Sequence, residues 1–78
     1  MNQNIFSTSD IWLSSVLVSC GLELVGVNKI DDKKLEFCFQ KNSRLDELAD
    51  NYWTKKLNLE PQLLFANFRF IKSRMYSI

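Results

Sequence analysis

The residues of this chain that could do chemistry are few and scattered. There is no histidine, and the only thiols, Cys20 and Cys38, are too far apart for a Cys-x-x-Cys motif. A zinc site built without histidine would need more than two cysteines, and no calcium-loop spacing joins Asp31 and Asp32 to Asp46, Glu47 and Asp50. The serines between Ser7 and Ser19 have no histidine to act as base. The two glycines, Gly21 and Gly26, do not open a helix, so nothing cradles a phosphate. No catalytic residue, metal ligand, cofactor or small-molecule substrate is therefore expected. The remaining chemistry is that of contact: large apolar side chains and cations placed for a partner.

The elements that must position those side chains are set by periodicity. Leu13, Val16, Leu17 and Cys20 recur at helical spacing, with Ile11 and Val18 on a second stripe and Trp12 on a third. A helix apolar in several directions is buried on several sides. Ser7 with Asp10 three residues on is expected to cap its start, Thr8 and Ser9 being alternatives, and Gly21 its end. The serines fill positions where close packing wants small residues. The stretch is too short to span a bilayer, which takes ~20 apolar residues, because Glu23 ends the uncharged run. Leu13, Val16, Leu17 and Cys20 are expected to face a hairpin, and Ile11 and Val18 a later helix.

After Gly21 the period changes to alternation. Val25 and Val27 are expected on one face of a first strand, and Leu35, Phe37 and Phe39 on one face of a second. Asp31-Asp32-Lys33-Lys34 joins them in a tight turn. Ser43, with Asp46 three residues later, opens a second helix with Leu45, Leu48, Ala49, Tyr52 and Lys56 at helical spacing. Glu60-Pro61 starts a third, because proline is favoured at the first helical position. Its inward stripe is Leu64, Phe65, Phe68, Ile71 and Met75, and it runs to Met75 or Tyr76.

Together these predict one small α+β domain over residues 1–78: an antiparallel β-hairpin covered by three helices in the order α-β-β-α-α. Residues 1–5 form a loose N-terminus, unless Ile5 and Phe6 add a short third strand or pack beneath the first helix. A domain of this size is marginal without a staple or a partner, but 46% hydrophobic residues supply ample core. The cysteines are expected to stay reduced, as buried thiols of a cytoplasmic protein. No secretory signal is expected, since no basic segment precedes an apolar run.

Two surfaces are left over. Leu63 and Phe70 lie off the third helix's inward stripe, and Trp12 and Ile11 lie off the first helix's; these four are the candidate protein interface. They predict a non-catalytic interaction module that self-associates or docks on a protein partner through the C-terminal helix. The alternative is a nucleic-acid-binding accessory protein using Asn67, Arg69, Lys72 and Arg74 with Lys55 and Lys56. Against it, the net charge is only +1 and the three basic residues of the last helix do not share one narrow face. No membrane association is expected.

The order of segments also resembles a known family. Phe6-Ser7-Thr8-Ser9-Asp10, the Leu13 to Gly21 helix, the Val27 to Phe39 hairpin, the Leu45 to Trp53 helix and the Arg69, Lys72 and Tyr76 ending carry the resemblance. The family is one of short prokaryotic and phage-associated proteins known only as a domain of unknown function. Ser14-Ser15 matches its small-residue pair, whereas Leu22 stands where members carry a basic residue or histidine. The resemblance covers Phe6 to Tyr76 and implies a fold but no catalytic residues.

Overall fold

The computed structural model describes residues 4–77. Along the chain run β1 (Ile5–Thr8), α1 (Ile11–Ser19), β2 (Leu24–Asp31), β3 (Lys34–Gln40), α2 (Ser43–Trp53) and α3 (Pro61–Tyr76). The strands form one antiparallel sheet in the order β1-β3-β2, so the hairpin is joined by a third strand from the N-terminus. Phe6 and Thr8 of β1 pair with Phe39 and Phe37 of β3. Of the N-terminal segment expected to be loose, residues 1–3 lie outside the described residues, while Ile5 is in the sheet.

The central strand β3 supplies the sheet's inner face. Phe37 and Phe39 are buried there with Leu13 and Leu17 of α1, Leu45 of α2 and Ile71 of α3 in one cluster. All three helices thus pack on the same side of the sheet. A two-stranded hairpin is marginal in water; the third strand and this cover make the sheet stable. Cys38 alternates to the other face, where its Sγ lies 3.5 Å from Ser7 Oγ and accepts from Asn28 Nδ2 at 3.4 Å. Both cysteines are free.

Several sequence expectations change in detail. Ser7 does not cap α1; it lies in β1, paired with Cys38 of β3. Asp10 is the N-cap, its carboxylate accepting from the backbone N–H of Trp12 at 2.9 Å and of Leu13 at 3.1 Å. One carboxylate oxygen near the helix N-terminus serves two free donors and favours the helix dipole, so extended pairing can claim Ser7. Asn42 likewise caps α2 in front of Ser43, accepting from Leu45 N–H at 2.8 Å. Val25 and Val27 do not share a face. A bulge lets Leu24 pair with Phe39 and Gly26 with Cys38, leaving Val25 as the extra, exposed residue while Leu24 and Val27 pack on the core.

The helix ends follow the sequence more closely. Gly21 has φ +92, and Gly21 and Leu22 donate back to Val18 and Leu17, closing a Schellman motif. Lys55 (φ 64) holds the same left-handed position after α2, with Lys56 N–H donating to Asn51. Glu60 caps α3 by accepting from Gln62 and Leu63, with Pro61 in the first turn.

The middle of α1 is enclosed on every side, since Leu13, Ser14, Ser15, Val16 and Leu17 are consecutive and all buried. The hydroxyls of Ser14, Ser15 and Ser19 donate to carbonyls one turn back at 2.8 to 2.9 Å, so the small polar side chains cost no unpaired donor. Leu13 and Leu17 face the sheet as expected, and Ile11 and Val18 pack on the core from beside them. Val16 instead faces the connection between α2 and α3, lining a hollow with Tyr52, Leu57, Leu59 and Leu64. Half-buried Cys20 ends the helix, its carbonyl held by Arg44 Nη2 at 2.6 Å.

Candidate functional site

Among the described residues, half of the exposed large apolar side chains, Leu63, Phe65, Phe70 and Tyr76, belong to α3 and fall on its two flanks; Trp12, Val25, Ile30 and Trp53 are spread over other elements. The inner stripe is Leu64, Phe68, Ile71 and Met75; Ile71 is fully buried. At 100° per residue, Leu63 and Phe70 lie together on one side of that stripe, beside Asn67 and Arg74. Phe65, Lys72 and Tyr76 lie on the other. Leu63 is 46% exposed and Phe70 44%, as expected for side chains the core does not need.

The second flank differs from the sequence expectation. Phe65 was expected inside, yet it is 50% exposed. It follows Leu64 directly, and neighbours on a helix point 100° apart, so one of the pair must leave the stripe. Trp12 reaches this flank from α1 and stacks on Phe68, with ring centroids 4.0 Å apart and planes at 18°. Lys72 Nζ lies 5.8 Å from the centre of the Phe68 ring and 6.0 Å from that of Tyr76. Both distances fall at the outer reach of a cation–π contact. Beyond Tyr76 the hairpin tip closes a cleft of about 290 Å³ lined by Lys29, Asp32, Lys33, Lys34, Leu35 and Met75.

The predicted interface residues divide accordingly. Leu63 and Phe70 come together; Trp12 is on the opposite flank, and Ile11 is partly buried against the core rather than beside either of them. The predicted nucleic-acid contacts do not converge. Asn67 Nδ2 donates to Ser19 Oγ at 2.9 Å, tying α3 to α1. Arg69 and Arg74 are exposed in different directions, and Lys55 and Lys56 are exposed in the connector after α2. Only Lys72 joins a cluster. Tyr76 and the hairpin lysines were not among the expected site residues. Phe68, Lys72 and Tyr76 at successive four-residue steps were the available signal for the first; nothing local signals that the hairpin tip meets them.

Two groups titrate away from their ordinary values. Burial raises the Cys20 thiol, with Arg44 opposing the shift. Burial also raises the Tyr52 phenol, and the charge and hydrogen bond of Asp10 add to it. Cys20 closes the C-terminal end of α1, and Tyr52 of α2 meets Asp10 at its N-terminal end. Among the described residues, no group of three or more potential ligands could hold a metal ion, and no helix is long and apolar enough to cross a membrane.

The fold therefore defines a small α+β domain: a three-stranded antiparallel sheet with helices on one face and α3 presenting its two flanks. The chain belongs to the family described as Domain of unknown function (DUF5659), whose family model matches residues 3–77. No curated protein and no solved structure matches it.

Proposed function

We propose that this domain is a non-catalytic interaction module that self-associates through the Leu63–Phe70 flank of α3. The observation that carries it is the exposure of these two large apolar side chains, two turns apart on one side of a helix. Seven residues separate them, the repeat that lets two helices keep one seam in contact. A two-fold pair would set each flank against its copy, with Arg74 at the rim.

Magnitudes make the association weak. Each side chain is already about half buried, so covering the rest contributes on the order of 1 kcal/mol. Four such side chains across a pair contribute roughly 4 kcal/mol, which only offsets the low end of the cost of association, so a measurable dimer also needs the polar and backbone contacts of the surrounding rim. The test is light scattering over a concentration series. The mass is expected to rise above 9.2 kDa with concentration, and Leu63→Ser plus Phe70→Ser to hold it at monomer. A wild type that stays monomeric throughout removes self-association and directs the same flank to a different protein.

The absence of histidine from the sequence supports the non-catalytic reading. Two free thiols fit a reducing cytoplasm. A phage or mobile-element setting rests on the family resemblance alone, and genomic neighbours would test it.

A further inference from the structure

We infer that the other flank of α3, from Trp12 to the hairpin tip, binds single-stranded nucleic acid. Rings and cations alternate along it. Trp12 is stacked on Phe68 yet remains 43% exposed, Lys72 lies between the Phe68 and Tyr76 rings, and Tyr76 is 77% exposed. Lys29, Lys33 and Lys34 then line the cleft that Tyr76 borders. Phe65 extends the track one turn towards the start of the helix.

That sequence of groups matches the chemistry of an unpaired strand. Bases offer flat faces to aromatic side chains only when they are not buried in a duplex, while each phosphate offers a charge to a lysine. From Phe68 to Tyr76 the helix rises about 12 Å, room for a few stacked nucleotides at about 3.4 Å each. An acidic peptide would satisfy the lysines but leave the rings unused. The low net charge of the whole chain does not oppose the inference, because the relevant balance is local. Lys29, Lys33, Lys34 and Lys72 outnumber Asp31 and Asp32, and the Asp31 carboxylate accepts the Lys33 N–H at 2.8 Å within the turn. The surplus is modest, so the affinity is expected to be modest and strongly salt-dependent.

The experiment is fluorescence anisotropy with a fluorescein-labelled oligo-dT of about 15 nucleotides, alone and annealed to oligo-dA, with polyglutamate as competitor. Binding to the single strand is expected at about 50 mM salt and to weaken steeply by about 200 mM, with the duplex bound less tightly. Tyr76→Ala should weaken binding by about tenfold. Lys33→Ala plus Lys34→Ala should weaken it and flatten the salt slope by about one unit. Both variants alter exposed positions, so circular dichroism should show the fold retained. Leu63→Ser plus Phe70→Ser should leave binding unchanged, separating this surface from the self-association flank. The inference is overturned by no binding at low salt, by a duplex bound as tightly as the single strand, by efficient competition from polyglutamate, or by full binding after Tyr76→Ala.

Discussion

The two flanks of α3 begin from the same helix and the same inner stripe, yet they offer a partner different things. On one, Leu63 and Phe70 stand with Arg74 beside them, and the neighbouring Asn67 is spent on Ser19. On the other, Phe65 and Tyr76 flank Lys72, extended by Trp12 of α1 where it stacks on Phe68 of the inner stripe and by lysines from the hairpin. The first flank is made by one helix alone, and the second by α1, α3 and the β2–β3 turn together. A surface built from one helix can be inferred from spacing. A surface assembled from three places in the chain carries more chemistry but leaves almost no local signature.

The widest break in the comparison comes from the stripe both flanks share. Ile71→Ala should cost about 2–5 kcal/mol, a large fraction of the stability of a domain this small. Urea unfolding should show it, with self-association and oligonucleotide binding lost together; loss of only one would mean that the flanks do not depend on a common core. A smaller and selective effect is expected from Trp12→Leu. Removing the stack on Phe68 should cost about 0.5–1.5 kcal/mol and weaken oligonucleotide binding, while the light-scattering mass series stays as in the wild type. A shift in that series would show the flanks to be coupled through α1.

Alkaline pH should have the smallest effect on stability. Burial raises both the Cys20 thiol and the Tyr52 phenol, so the folded chain keeps these protons longer than the unfolded chain does. Their contribution is full below the unfolded values, about 9 for the thiol and about 10 for the phenol. It is lost as pH rises above them towards the folded values. The urea midpoint should therefore decline above about pH 9, and Cys20→Ser plus Tyr52→Phe should flatten the decline. A midpoint equal at neutral and alkaline pH would contradict the raised values.

Much of the fold was legible because neighbouring residues specify it. Gly21 marks its own left-handed position, Pro61 opens α3, and Leu35, Phe37 and Phe39 alternate as a strand must. Leu63 and Phe70 were legible as exposed because the inner stripe has no place for them. The errors have equally definite causes. Ser7 is as good a helix cap as it is a strand residue, and only pairing with Cys38 decides between them. Val25 fits an alternating pattern until a bulge removes it from the count. Ile11 lies off the main stripe of α1, yet it is partly buried because the core reaches around the helix.

The sequence by itself determined where the three helices and the hairpin strands lie, which stripes seek burial, and that catalysis by histidine has no means here. Those properties follow from covalent chemistry and from periods of a few residues. Only the tertiary structure decided that a third strand from the N-terminus joins β3 and that Phe65 yields its place to Leu64. It alone carries the end of α3 to the hairpin tip, where Tyr76 meets Lys29, Lys33 and Lys34. The reason is physical: burial is a demand each residue makes locally, but which neighbour meets it depends on how distant segments share one core.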